Sequence, residues 1–256
     1  MDEENKIIEE EVFPLKFFDR ILGIFFSPVK VMKNIKEYPK IGAALFVALV
    51  FAGLGGVYAV DIANIALEEQ SMIYIERYGP DYMSLTEAAQ EYTSNETLTT
   101  ITTVATLLIT PFVMAFVLSL LLLLITKIFR GEARFTQYFS MFFHIYILTN
   151  LIGLIPTVFM VMNQSSVNIL SLAVLMPGGN ITMPLYNLLA SVHVQGVIEA
   201  LLILAGVKVF NEWKLPKSFA VTFINYVIVV AAAVLIQYAS ILVMDWSFGM
   251  ISTISF

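Results

Sequence analysis

Residues 101–134 read ITTVATLLITPFVMAFVLSLLLLLITKIFRGEAR, a run from Ile101 to Ile125 without a charged side chain, followed at once by Lys127, Arg130 and Arg134. A hydrocarbon core roughly 30 Å thick is crossed by an α-helix of about 20 apolar residues, and cations just past its end are held on the cytoplasmic side. This stretch therefore predicts a membrane-crossing helix and the side on which it stops. Four other blocks repeat the pattern: Ile41 to about Ile62, Tyr138 to about Met162, Met183 to about Val207, and Phe219 to about Met244. The expected fold class is all-α, a polytopic membrane helix bundle with five transmembrane helices preceded by N-terminal amphipathic interfacial helices.

Composition points the same way. Of 256 residues, 59% are hydrophobic and 13% charged, where soluble domains carry about 45–50% apolar and about 25% charged residues. A soluble fold of this size has too little interior to hide that surface, so lipid is the expected solvent. The opening MDEENKIIEEEV is acidic, with no apolar run behind it, so the first spanning helix is expected to direct insertion. Cysteine is absent, which removes disulfides, thiolate metal ligands and cysteine nucleophiles.

Orientation follows from where the cations fall. Lys6, Lys16, Arg20, Lys30, Lys33, Lys36 and Lys40 precede the first block. Lys127, Arg130 and Arg134 separate the second from the third, and Lys208, Lys214 and Lys217 the fourth from the fifth. Of the 14 basic residues only Arg77 falls on the other side. That bias predicts a cytoplasmic N-terminus and, for an odd number of spans, an external tail from Trp246 to Phe256. A four-span arrangement with one block re-entrant or lying on the surface is the alternative. The segment 63–100 is expected to be an outer loop, acidic through Glu68, Glu69, Glu76, Asp81, Glu87, Glu91 and Glu96. A solvated face is the simpler account of those carboxylates than a cation or partner site.

Residues 1–40 are read as a cytoplasmic arm, and 41–256 as the membrane domain. Within the arm, PLKFFDRILGIFF sets Leu15, Phe18, Leu22 and Phe25 at helical spacing, with Lys16, Asp19, Arg20 and Gly23 on the other side. The pattern predicts a helix lying in the interface. Ser27 and Pro28 then suit the N-cap and first position of a second short helix. Along it Lys30, Lys33, Lys36 and Lys40 line one side, suited to anionic lipid headgroups or simply to fixing topology.

No enzyme chemistry stands out. The two histidines, His144 and His193, lie inside expected spans without metal-ligand spacing. Gly53-Leu54-Gly55-Gly56 sits within the first span and reads as small residues for close helix packing; Met176-Pro177-Gly178-Gly179-Asn180 reads as a turn. No cofactor, metal or nucleic acid is predicted. What remains is intramembrane polarity, where ionisable groups mark functional sites by default. Asn187, Ser191, Gln195 and Glu199 recur every four residues along the fourth span. Interhelical hydrogen bonding accounts for the first three, whereas for Glu199 structural and functional roles stand level. Counting from the basic loops, Glu199, His144 and Asn225 share a layer roughly 9–14 Å deep. A polar cluster of His144, Gln195, Glu199 and Asn225 is therefore expected.

Phe25-Phe26-Ser27-Pro28 with Lys36-Glu37-Tyr38-Pro39, then Gly131, Phe135 and Gln137, then Gly206 before a basic turn, together resemble the bacterial branch of the Ypt-interacting protein (Yip) family membrane domain. The resemblance covers about Phe25 to Val243 and implies a five-span bundle with a cytoplasmic N-terminus. Eukaryotic members of the family act in vesicle traffic and bind Rab-type GTPases, and some bacterial members look like accessory subunits of export systems. Many bacterial members carry a tryptophan where this chain reads His193-Val194-Gln195-Gly196-Val197-Ile198-Glu199, which leaves open whether function is shared. The resemblance implies a non-enzymatic scaffold or accessory protein of the bacterial plasma membrane, with lipids and other membrane proteins, ABC-type exporter components among them, as partners. The polar face of the fourth span supports the alternative, a small transporter, channel or lipid-moving protein; self-association is compatible with either.

Overall fold

A computed structural model describes residues 14–79, 96–180 and 182–254. The described secondary structure is helical apart from one isolated bridge between Ser171 and His193. In chain order the α-helices are α1 (Phe17–Phe26), α2 (Pro28–Glu37), α3 (Gly42–Gly56), α4 (Ala59–Tyr78) and α5 (Glu96–Ile128), followed by α6 (Phe135–Met162), α7 (Pro184–Ser191), α8 (Val194–Phe210) and α9 (Leu215–Ile254). A 3₁₀ turn, Leu172–Leu175, precedes α7.

Among the described residues three stretches are long and apolar enough to cross a membrane on their own: Ile109–Ile128, Phe135–Met162 and Leu215–Val243. The other two expected spans are interrupted. At the first, three glycines within Gly53–Gly56 weaken α3, and after a 50° bend the chain runs on as α4. The expected loop 63–100 is thus helical over residues 63–78 and again from Glu96 onwards. Asp81, Glu87 and Glu91 lie outside the described residues, as does Lys6. The expected fourth span, 183–207, is divided at Val192–His193 into α7 and α8, of 8 and 17 residues. At 1.5 Å per residue these reach only about 12 and 26 Å.

Helix α6 is the hub, packed against α1, α2, α3, α4, α5 and α8. Its side chains Tyr138, Met141, Phe142, Phe143 and Ile145 are fully buried. Phe139 joins an aromatic chain with Phe112 and Phe116 of α5, in edge-to-face pairs of 5.5 and 6.4 Å. Outward faces stay apolar, as on Leu124, Ile128, Phe159, Phe219, Phe223 and Leu235, which water would penalise and lipid does not. Among the glycines of α3, a Cβ at Gly55 would stand 3.7 Å from Leu154 of α6, an ordinary contact, and the tighter approaches lie elsewhere. Gly53 has open space where a side chain would stand, whereas Gly153 lies against Gln195 and Gly206 against Met141.

The three basic segments meet at one end of the bundle. Gln137 Nε2 donates to the Lys36 carbonyl at 2.8 Å, Ser140 Oγ to the Lys40 carbonyl at 2.9 Å, and Lys36 pairs with Glu212. Asn211 ties the remaining two together: its Oδ1 accepts from the Ala133 amide at 3.1 Å, and its Nδ2 donates to the Tyr138 hydroxyl at 2.8 Å. Helices α5, α6 and α8 all end in one motif, with Arg130, Gln164 and Glu212 at positive φ and a backbone bond from the next residue back to Thr126, Met160 and Lys208. The Lys36 partner holds the Glu212 carboxyl below its ordinary value of 4.5. A lowered carboxyl pKa contributes stability above the ordinary value and loses it as pH falls through the lowered one. Thermal unfolding of wild type and Glu212→Gln should therefore differ near neutral pH and converge once acid protonates the carboxyl; a gap unchanged by acid would show that the pair contributes nothing.

The arm is folded onto this end. Gly23 admits Val31 so closely that a Cβ there would lie 2.6 Å from its methyl group, and Val31, Met32 and Ile35 of α2 are buried. Two expectations are corrected here. Arg20, placed on the solvent side of α1 by periodicity, is buried and donates to Asn34 Oδ1 and to the Tyr38 carbonyl, both at 2.7 Å. Leu15 and Phe25 pack on the core, while Phe18, Leu22 and Phe26 form the exposed apolar stripe. The reason is that α1 is covered by α2 and α6, so a second face had to be buried. Lys30, Lys33 and Lys40 are exposed, and Lys36 is engaged by Glu212.

Candidate functional site

The break between α7 and α8 builds the site. Val192 and His193 are extended, and buried unwound backbone is tolerated only where other groups satisfy it. The segment after α6 does so: the Leu172 amide donates to the Val192 carbonyl and the Val194 amide to the Leu170 carbonyl, each at 2.9 Å. His193 caps α8, its Nδ1 accepting from the Gly196 amide at 3.1 Å. A nitrogen that accepts carries no proton, so the neutral ring presents an N–H at Nε2.

Beside this break lies a cavity of about 340 Å³ between α8 and α9, closed by Leu118 of α5 and Phe142 of α6. From α8 it receives Gly196, Glu199, Ala200 and Ile203, at spacings of three and four that make one helix face. From α9 it receives a stripe beginning with Thr222, Asn225 and Tyr226 and ending at Gln237, about 22 Å along the axis. The middle of that stripe, Val229, Val230 and Ala233, is apolar. Among the described residues the lining holds one carboxylate, Glu199, and neither lysine nor arginine.

Three buried polar atoms in this wall have no hydrogen-bond partner: Thr222 Oγ1, Asn225 Oδ1 and Tyr226 Oη. Each such atom costs about 1–3 kcal/mol when left unpaired, and structures rarely tolerate several together. Asn225 and Tyr226 follow Thr222 by three and four residues, which sets all three on one side of α9, in the same cavity wall as Glu199. The arrangement gathers these three polar atoms and the Glu199 carboxyl around one recess.

Of the expected cluster, Glu199 and Asn225 do share this cavity. His144 is buried on α6 with Nδ1 2.8 Å from the Ser140 carbonyl and is not in its wall. Gln195 turns to the other side of α8, donating to the Thr149 carbonyl at 3.0 Å and facing a second cavity of about 520 Å³ against α3, α4 and α6. The polar stripe of the expected fourth span is likewise split, since Asn187 and Ser191 belong to α7 and Gln195 and Glu199 to α8. Thr222, Tyr226 and Gln237 were not anticipated; their helical spacing with Asn225 was the available signal. Among the described residues no group of three or more His, Cys, Asp or Glu side chains is placed to hold a metal ion. Comparison with protein-family models, curated proteins and solved structures finds no match to this chain.

Proposed function

We propose that this is an integral membrane protein of five membrane-crossing segments that binds a small polar or amphiphilic molecule in the α8–α9 cavity and carries it across or within the bilayer. The bent pair α3–α4 and the broken pair α7–α8 supply the two segments beyond the three long helices, with the basic end cytoplasmic, the far end outside, and the Phe18–Leu22–Phe26 stripe in the headgroup layer. One observation carries the reading: a carboxylate and three unpartnered polar atoms face one cavity beside an unwound stretch of helix. Interrupted helices at membrane depth are the usual seat of transported substrates. The reading as a Yip-type accessory protein of the bacterial plasma membrane, binding exporter components, rests on the sequence resemblance, and the folding of α1 and α2 into one platform favours it as a second role.

The absence of cysteine makes the test direct. Single cysteines at Ala200 and Ala233, in the cavity wall, should react with a small neutral methanethiosulfonate at least about tenfold faster than cysteines at Phe223 and Val227 on the exposed outer face, because only a hydrated thiol forms the thiolate. In sealed cells an impermeant reagent should label position 163 and spare position 132. Equal reactivity at all four helix positions would eliminate a water-filled binding cavity.

A further inference from the structure

Resting on that reading, we infer that the cavity is built for an organic ammonium ion with an apolar body, either as a free amine or as the headgroup of an aminophospholipid. The first argument is charge. Glu199 is the one acidic side chain in the described wall, with no lysine or arginine beside it to pair with its ionised form. A ligand that brings the missing positive charge is favoured over a neutral or anionic one.

The second argument is hydrogen-bond polarity. An ammonium offers three donors and no acceptor. Facing it are the Glu199 oxygens, the unpartnered Asn225 Oδ1, and two hydroxyls, Thr222 Oγ1 and Tyr226 Oη, that accept as well as donate, against one ring donor in the wall, the His193 Nε2–H. The third argument is the position of the helix break. Helix α7 ends at Ala190 and Ser191, both in the wall, and the carbonyl end of a helix carries partial negative charge. At the opposite pole of the break, the amides of Val194 and Gly196 are already taken by Leu170 and His193, so the α8 N-terminus has little left for an anion. Two aromatic residues, Phe142 and Tyr226, also border the cavity, and aromatic rings attract cations. Beyond the polar layer, Val229, Val230 and Ala233 continue the cavity as an apolar channel along α9, which seats the rest of the ligand.

The test uses the full chain carrying the Ala233→Cys change, reconstituted in discs of phosphatidylglycerol, a lipid without an ammonium group. Reactivity with the neutral methanethiosulfonate is followed with 2-phenylethylammonium, 3-phenylpropionate or 2-phenylethanol present. The expected result is protection of about tenfold by the ammonium alone, abolished by Glu199→Gln. Protection by the added amine identifies a free amine as sufficient; protection that instead arises when phosphatidylethanolamine replaces phosphatidylglycerol, with no amine added, identifies the lipid headgroup. Asn225→Leu serves if Glu199→Gln fails to fold, because it removes an unpaired buried acceptor and should raise the unfolding midpoint of the unliganded protein while weakening protection by about tenfold. Equal protection by all three probes, protection that survives both substitutions, or no protection from either source overturns the ammonium assignment. In every case the rate without probe reports separately whether the cavity is water-filled.

Discussion

Replacing Gly131 by alanine is expected to destabilise the protein by about 2–4 kcal/mol, or roughly 5–12 °C in unfolding midpoint for a chain of this size. A Cβ at Gly131 would stand 2.9 Å from the Thr126 carbonyl and would meet Asn211 Oδ1 more closely still. Backbone cannot yield there, since that same Thr126 carbonyl accepts the Gly131 amide at 2.8 Å to end α5. Asn211 would have to move instead, breaking its bonds to Ala133 and Tyr138. Gly53→Ala is the matched control. Nothing lies within 4 Å of a Cβ at that position, and alanine favours helix over glycine by up to about 1 kcal/mol. Thermal unfolding in detergent should therefore move the two variants in opposite directions. Equal losses would show that the Asn211 junction is not what makes Gly131 special.

Arg20→Ala should release α1 from the bundle at a cost of about 3 kcal/mol or more, since hydrogen bonds to charged groups are worth roughly 1.5–3 kcal/mol each and Arg20 makes two of them. Burial lowers the pKa of its guanidinium, but an arginine starts so high that it stays charged at any pH a protein survives. Arg20→Lys should rescue little, because a single ammonium cannot reach Asn34 and the Tyr38 carbonyl in the forked geometry a guanidinium provides. The readout is proteolysis and amide exchange between residues 17 and 37, which both variants should accelerate while α5 to α9 stay protected. Unchanged protection with alanine would mean that apolar contacts of Ile24 with the core suffice to hold the arm.

The apolar blocks, the gathering of cations at one end and the shared layer of Glu199 and Asn225 were all legible in the residues, because each depends on composition or on counting along a helix. Depth along a helix is a matter of 1.5 Å steps; rotation about its axis is set by packing. That is why His144, expected in one layer with Glu199, lies outside its cavity wall, and why Gln195 and Glu199, four residues apart, serve different cavities. The interruption at Val192–His193 left no trace in the sequence, since neither glycine nor proline marks it. It is held by Ser171 and its neighbours, some 22 residues earlier in the chain, and such pairing cannot be inferred from local pattern. The helix ends at Arg130, Gln164 and Glu212 were hidden for a related reason: glycine usually announces that backbone conformation, and here other residues adopt it. Arg20 misled because a guanidinium is ordinarily taken to water.

The basic end of the bundle has a further consequence for the order in which the molecule assembles. Its connections join residues far apart in sequence, 101 apart for Gln137 and Lys36 and 176 apart for Lys36 and Glu212. A ribosome adding about 5–20 residues per second completes α2 roughly 10–35 s before it reaches Glu212. Within that interval the first helices gain their partners in turn: Gln137 and Ser140 are made partway through, and Glu212 completes the set only at its end.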